Sequence, residues 1–400
     1  MTDTSDALLG WRDEFPILRD VNYLVSHSLG AMPRGVYDSL HQYADTWAGR
    51  GVRAWGDRWW ALNGEIGDQI GQIIHAPPGS VSIHQNASLA ASILLSSMDF
   101  SDTRRDTVVI TDMIFPTIYY VLKRMLPPHM RLHVVRSEDG ISVPTERLLD
   151  AIDERTALVP ISHVLFRSGY IMPAAAVIEK AHRVGAAVML DAYHSVGIIP
   201  VDVSALQVDY LIGGVLKWMC GGPGGVFLYV RPDRTGQLEP RITGWFAHKR
   251  PFDFEVDDIE WRDDAYRFLN GTFGVPSLYA IRPGIEVIAS VGVDAIRQKS
   301  MRQTALLFEL ATESGWRVRS PQEPEQRGGM VVLDVPHSYE VSRALIARDI
   351  IVDYRENAGI RVAPHFYNSD DEVRAAVAAI RDILDSGEWE RYSGDRSFVT

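Results

Sequence analysis

Short apolar runs alternate with amphipathic stretches through the middle third of the chain. Runs rich in β-branched residues predict strands at 107–112, 131–135, 156–162 and 186–192. Apolar positions at helical spacing predict helices between them, at 119–126, 145–153 and 174–185. The strands are apolar on both faces, which is typical of a parallel sheet covered by helices on both sides. The alternation therefore predicts an α/β fold with a mainly parallel central sheet.

The pattern changes after about residue 275, where long helical stretches are interrupted by short strands. This change predicts a smaller α+β domain at the C-terminal end. We expect a large domain over 46–285, a small domain over 286–400, and an N-terminal segment, 1–45, that packs on the small domain. No linker rich in Gly, Ser or Pro separates these parts.

Composition narrows the class of protein. The chain has 40 Lys and Arg against 52 Asp and Glu, so its formal charge of −12 argues against binding a nucleic-acid backbone. No apolar run reaches the roughly 18 residues of a membrane helix, and the polar N-terminus does not resemble a signal peptide. The single cysteine, Cys220, excludes an internal disulfide and a multi-thiolate metal site. These features predict a cytoplasmic protein with no membrane partner.

The candidate chemistry is concentrated at 189–225. Asp191 ends an apolar strand, His194 follows three residues later, and Lys217 lies among apolar residues and glycines. Ligands of open α/β sheets bind beyond the carboxyl ends of strands, so Asp191 is expected to face a cleft. Apolar surroundings lower the pKa of a lysine and leave a nucleophilic amine. A strand-end Asp is often only a cap and a lone Lys often snorkels, but the pair is what pyridoxal phosphate uses.

An Asn-Ala-Ser turn precedes an apolar helical stretch and is a candidate anion site. Free N–H groups at Ala87 and Ser88, together with the helix dipole, favour a phosphate there. A plain helix cap explains the same residues.

Several motifs, taken together, resemble one family. The segments LDAYHSVGIIPVDV (190–203) and GGVLKWMCGGPGGVFLYV (213–230) are similar to the cofactor segment of class V aminotransferase-fold enzymes, kynureninases most of all. Further motifs along the chain match the family and occur in the same order as in the family. They lie at 23–33, 52–60, 115–117, 162–169, 244–248, 267–272 and 353–368. The resemblance implies a pyridoxal-phosphate-dependent enzyme of fold type I with kynureninase-like lyase or hydrolase activity.

The resemblance also implies roles around the cofactor. Lys217 would form the Schiff base, and Asp191 would bond the pyridine nitrogen. His194 would lie near the phenolic oxygen, and Phe115 would stack on the ring. Ala87–Ser88 would bind the phosphate.

Other roles concern the substrate and the subunit interface. Arg361 would pair with the α-carboxylate of the substrate, because its planar fork suits a carboxylate. His27 and Trp55 would line the substrate site. Trp245 and Thr272 would reach into the cofactor site of a neighbouring subunit, which implies an obligate homodimer.

Three departures from the kynureninase pattern leave the reaction open. Leu216 replaces a tyrosine, Ile118 replaces an aspartate, and Leu165-Phe166 replaces Asn-Tyr. Apolar side chains cannot act as general acids or bases. The alternatives are a carbon–sulfur β-lyase, a cysteine desulfurase-like enzyme, a transaminase, an epimerase, a bond-forming enzyme and a non-catalytic protein on the same fold. Apolar packing is the expected role of Cys220, which disfavours the desulfurase.

Overall fold

The computed structural model describes residues 6–394. Its strands are β1 Asn22–Tyr23, β2 Val81–His84, β3 Thr107–Thr111, β4 Arg131–Val135, β5 Thr156–Ser162, β6 Ala187–Asp191, β7 Tyr210–Gly214, β8 Val226–Val230, β9 Arg317–Val318, β10 Val331–Asp334, β11 Ile350–Ile351, β12 Asp353–Arg355 and β13 Gly359–Val362. Its α-helices are α1 Gly35–Arg50, α2 Trp60–Ile73, α3 Ala87–Ser97, α4 Pro116–Met125, α5 Thr145–Asp150, α6 Ala174–Val184, α7 Val203–Leu206, α8 Pro232–Thr235, α9 Val275–Val291, α10 Val293–Glu313, α11 Ser338–Ala347 and α12 Asp370–Ser386.

A seven-stranded sheet in the order β2-β8-β7-β6-β5-β3-β4 forms the centre of the molecule. The strands from β7 to β4 pair in parallel, whereas β8 is antiparallel to both of its neighbours. The prediction of a mainly parallel α/β sheet is confirmed. Strand β8 reverses because β7 and β8 are joined by a short irregular loop rather than by the helical crossover that parallel strands need.

Apolar side chains fill both faces of this sheet. Val109 and Leu190 belong to one buried cluster, and their chain neighbours Val108 and Met189 belong to another. Successive residues of a strand point to opposite faces, so the two clusters lie on the two sides of the sheet. This arrangement explains why the strands read as continuous apolar runs.

A second sheet, in the order β12-β13-β10-β9, is antiparallel throughout. Together with α10, α11 and α12 it encloses a third apolar cluster. The N-terminal segment reaches this region, because β1 pairs in parallel with β11. The domain boundaries at 45/46 and 285/286 stay predictions. No helix between residues 6 and 394 is long and apolar enough to cross a lipid bilayer.

Candidate active site

A cavity of about 280 Å³ lies at the carboxyl ends of β5, β6 and β7. It is lined by residues that the sequence singled out, namely Lys217, Asp191, His194, Phe115, Ala87 and Ser88. Lys217 follows β7 in the loop before β8, and Asp191 is the last residue of β6. The edge of the sheet therefore brings the amine and the carboxylate to one opening, as expected for ligand sites of open α/β sheets.

The Lys217 amine is buried and points at an imidazole. Its Nζ lies 2.5 Å from Nε2 of His194. Burial, followed by the nearby positive charge of Arg361, lowers the pKa of Lys217 to about 7. Burial, followed by the charge of Lys217, holds the pKa of His194 well below its usual value. Lys217 is therefore a neutral amine above about pH 7, and it shares a hydrogen bond with Nε2 of the neutral His194 imidazole.

Asp191 is a buried carboxylate that lacks a cationic partner. Its Oδ1 accepts the backbone N–H of Tyr193 at 3.0 Å, and its Oδ2 accepts the hydroxyl of Ser162 at 3.5 Å. Burial raises the pKa of Asp191. Within the described range 6–394 it forms no ion pair, and an unpaired buried carboxylate is costly. A cationic ring nitrogen in the cavity would supply the missing partner.

The start of α3 also lines the cavity. Asn86 caps the helix by accepting the N–H of Leu89 at 2.9 Å through Oδ1. Ala87 and Ser88 are the first two helical residues, whose N–H groups lack partners within the helix. These N–H groups and the helix dipole suit a phosphate.

Aromatic rings flank the amine. Phe115 is 42% exposed, and its ring centroid lies 6.0 Å from Lys217 Nζ. The ring of Tyr193 lies 5.6 Å from the same nitrogen. A Cβ added at Gly214 would lie 2.1 Å from the Tyr193 ring, so only glycine permits this placement. The sequence analysis missed Tyr193, although it stands between Asp191 and His194.

Pyridoxal phosphate fits these features of the cavity. Lys217 would hold its aldehyde carbon, Asp191 its ring nitrogen, and the start of α3 its phosphate. The half-exposed face of Phe115 is available to cover its ring.

Arg361 on β13 has partners that the sequence did not reveal. Its Nε donates to Oδ1 of Asp353 at 2.7 Å, its Nη2 donates to Oδ2 of Asp353, and its Nη1 donates to the Phe166 carbonyl at 2.7 Å. Arg361 is only 2% exposed. The sequence feature that could have indicated this pairing is the position of Asp353, eight residues before Arg361 in a stretch that forms a hairpin.

Arg361 and four other predicted site residues do not line the Lys217 cavity of the same chain. His27 is fully buried, with Nε2 3.1 Å from Oδ1 of Asp353. Trp55 packs edge-on against Trp59. Trp245 and Thr272 are exposed on the surface. Their proposed roles stay predictions.

Each of the three departures places an apolar residue in the cavity wall. Leu216, Ile118 and Phe166 line the cavity, so its wall is apolar at these positions. Leu165 is fully buried behind the wall. Cys220 is 1% exposed, and burial raises the pKa of its thiol. That thiol is therefore not a mobile nucleophile.

The N-terminal segment closes on the lysine loop. The N–H of Gly30 donates to the Leu216 carbonyl at 2.8 Å. A Cβ added at Gly30 would lie 2.2 Å from the carbonyl oxygen of Lys217. Glycine at position 30 thus allows the two backbones to approach, and the motif at 23–33 supports the catalytic loop.

Comparisons with known proteins agree with this site. The aminotransferase class-V family model matches residues 22–379. The kynureninase of Burkholderia pseudomallei (strain K96243) is 32% identical, covering 97% of this chain and 95% of that protein. The kynureninase of Pseudomonas fluorescens is 31% identical over the same shares.

Solved structures show the same fold. A cysteine desulfurase from Thermococcus onnurineus NA1 superimposes with a TM-score of 0.85 at 20% identity, covering 96% of this chain and 100% of that one. The cystine C-S lyase C-DES superimposes with a TM-score of 0.83 at 20% identity, covering 92% and 99%. The chain therefore belongs to the aminotransferase class-V family and is a pyridoxal-phosphate-dependent enzyme.

Proposed function

We propose that the enzyme is kynureninase-like and cleaves a side-chain bond of an α-amino acid by adding water. The observation that carries this proposal is the similarity to kynureninases along 97% of the chain at 32% identity. The cavity supports it, because a neutral amine, a buried carboxylate and an anion-binding helix start surround one space.

The roles of the chain's own groups follow from their charges. Pyridoxal phosphate, when bound, supplies an electron sink that stabilises negative charge at the α-carbon of the substrate. Lys217 would hold the cofactor through Nζ and, once a substrate amine has replaced it, would accept the α-proton on the same nitrogen. Its pKa of about 7 suits a base at ordinary pH. His194 would orient the amine, and Asp191 would keep the ring nitrogen protonated.

Arg361 would bind the α-carboxylate of the substrate. The side chain already donates to the carbonyl of Phe166, whose ring lines the cavity. A guanidinium fork can bind a carboxylate through two hydrogen bonds, which fixes the orientation of the α-carbon.

Fluorescence tests the reaction. We expect the purified holoenzyme to release anthranilate from L-kynurenine, or 3-hydroxyanthranilate from 3-hydroxykynurenine. Lys217→Ala should abolish both this release and the yellow absorbance of the bound cofactor. Lys123→Ala, which changes an exposed lysine on α4, is the matched control and should retain both. A wild-type enzyme that releases neither product would contradict the kynureninase-like reaction.

A carbon–sulfur β-lyase is the second candidate. The apolar wall formed by Leu216, Ile118 and Phe166 favours it, because the titratable groups expected there in a kynureninase are missing. Release of pyruvate from L-cystine, without anthranilate from L-kynurenine, would support this candidate. A desulfurase that uses Cys220 as its sulfur acceptor is disfavoured, since that thiol is buried. A change of the cofactor spectrum with other amino acids alone would favour a transaminase, an epimerase or a bond-forming enzyme.

We also propose a homodimer whose active sites lie at the subunit interface. Trp245, Phe252 and Phe254 form an aromatic patch, in which neighbouring ring centroids lie 5.8 to 6.5 Å apart. Their exposed fractions are 40%, 60% and 72%. Exposed apolar patches of this kind mark association surfaces. A cytoplasmic location follows from the single cysteine and stays a prediction.

A further inference from the structure

We propose that Asp353 and His27 are positioning residues for Arg361. They hold its guanidinium so that the free end of the fork faces the Lys217 cavity and receives the substrate's α-carboxylate. The inference deepens the proposed function and rests on it, because Arg361 binds the carboxylate in that proposal. It assigns a role to Asp353 and changes the role of His27 from lining the substrate site to acting through Arg361.

The strand register places Asp353 against Arg361. Strands β12 and β13 are antiparallel neighbours, and Asp353 is the direct cross-strand partner of Arg361. The carboxylate takes the side of the guanidinium that carries Nε and Nη2. Such two-point contacts fix the plane of the guanidinium as well as its position.

Counting donors shows what remains free on Arg361. A guanidinium has five N–H groups. Two donate to Asp353 and one donates to the Phe166 carbonyl. The remaining two N–H groups lie one on Nη1 and one on Nη2, so both terminal nitrogens of the fork keep a donor for a carboxylate. Arg361 itself does not line the cavity, but Phe166, whose carbonyl accepts from Nη1, does. The charge of Arg361 also lowers the pKa of Lys217 and of His194, so the guanidinium lies close to the cavity.

His27 completes the shell around Asp353. Oδ1 accepts from Arg361 Nε and His27 Nε2, and Oδ2 accepts from Arg361 Nη2. Oδ2 also forms an ion pair with Arg355, whose Nη2 lies 3.2 Å away. Three hydrogen bonds and this ion pair hold both oxygens of the carboxylate, which fixes the orientation of Asp353. His27 and Asp353 are both 0% exposed, which excludes water as a substitute partner.

The protonation of His27 follows from its surroundings. Burial, followed by the charge of Arg361, lowers the pKa of His27 to about 4, so it is neutral near pH 7. Despite burial, which raises it, the pKa of Asp353 lies well below the usual value, because first His27 and then Arg361 stabilise the carboxylate. A neutral imidazole has one N–H, and the hydrogen bond to Asp353 places that proton on Nε2. His27 is thus an uncharged donor, and its Nδ1 finds no hydrogen-bond partner among residues 6–394.

Spectrophotometric titration of the holoenzyme tests the positioning role. The two ligands are L-kynurenine and kynuramine, which is the same molecule without the carboxylate, and the change in cofactor absorbance gives each dissociation constant. For Asp353→Asn we expect the constant for L-kynurenine to rise about tenfold or more, since a charged hydrogen-bond frame is lost. The constant for kynuramine should stay within about twofold of the wild-type value.

The direction in which the dissociation constant of L-kynurenine changes separates a positioning role of Asp353 from simple charge compensation. If Asp353 only neutralised Arg361, Asp353→Asn would free the charge of Arg361 and tighten the binding of L-kynurenine. A merely structural role would weaken the binding of both ligands equally. Either result overturns the inference. Asp334→Asn is the matched control, because Asp334 pairs with Arg319 at 2.8 Å in the same sheet, away from the cavity, and should change neither constant.

Substitutions of His27 give a second test if Asp353→Asn does not fold. The amide nitrogen of His27→Gln is able to occupy the place of Nε2 and donate to Asp353, whereas His27→Leu is not. We expect near-wild-type discrimination between the two ligands in His27→Gln and reduced discrimination in His27→Leu. Equal behaviour of the two variants would overturn the role of His27. If the wild type binds L-kynurenine no better than kynuramine, that result contradicts the proposed binding of the carboxylate by Arg361. The positioning role, which rests on that binding, is then overturned as well.

Discussion

Burial determines which side chains of the site carry charge. Desolvation disfavours the charged forms of Lys217 and His194, so the pKa of Lys217 falls to about 7 and that of His194 well below its usual value. Asp353 keeps its charge, with a lowered pKa, because His27 and Arg361 stabilise its carboxylate against burial. The same apolar surroundings therefore give a nucleophilic amine at one end of the site and a fixed ion pair at the other.

The lowered pKa of Lys217 predicts how cofactor uptake depends on pH. A lysine is protonated below its pKa and neutral above it, and only the neutral form attacks an aldehyde. The rate at which the apoprotein gains yellow absorbance with pyridoxal phosphate should rise as the pH passes through about 7 and level off above it. Nα-acetyl-lysine, whose pKa is about 10.4, is the control and should still accelerate above that plateau. Continued acceleration of the protein above about pH 9 would contradict a lowered pKa.

At the scale of elements, the site depends on contacts between segments that are distant in the chain. The lysine loop between β7 and β8 is covered by the N-terminal segment, and Gly30 makes the closest approach. The N–H of Gly30 and the carbonyl of Leu216 tie the two segments together. A larger residue at position 30 would require the backbone of the lysine loop to move, and backbone moves far less readily than a flexible side chain.

Gly30→Ala should therefore destabilise the protein and weaken cofactor binding. The added Cβ would lie 2.2 Å from the Lys217 carbonyl oxygen and 2.9 Å from Cα of Cys220. Overpacking of this kind costs about 1–3 kcal/mol of unfolding free energy. Gly10→Ala is the matched control, because an added Cβ there meets nothing within 4 Å. Urea unfolding of both variants measures the difference, and equal midpoints would show that the lysine loop is not packed as described.

The sequence predicted those parts of the site whose signals are local. Asp191, His194 and Lys217 follow apolar strands, so their place at the carboxyl edge of the sheet could be inferred from the pattern. The pairing of Asp353 with Arg361 could not, because it depends on the register of a hairpin. The bond from His27 depends on how the N-terminal segment docks, and no spacing encodes that distance.

At the scale of the whole molecule, one chain does not bring all of the predicted site residues together. Trp245 and Thr272 lie outside the Lys217 cavity of the same chain. Trp245 belongs to the aromatic patch, and Thr272 is also exposed. In a symmetric dimer one surface meets its own copy, so these residues would serve the cavity of the partner subunit.

Mixing two inactive variants tests this composite site. One chain carries Lys217→Ala, and the other carries Trp245→Ala together with Thr272→Ala. After the mixture is unfolded and refolded, half of the dimers should be hybrids, and each hybrid should contain one cavity with an intact Lys217 and an intact partner surface. Activity should return to about a quarter of the wild-type value, because one of two sites works in half of the dimers. If Trp245 and Thr272 acted within their own chain, every site in the mixture would lack one component and no activity would return. Sedimentation of the refolded mixture checks that dimers have formed, so that a failure to assemble is distinguished from a site confined to one subunit.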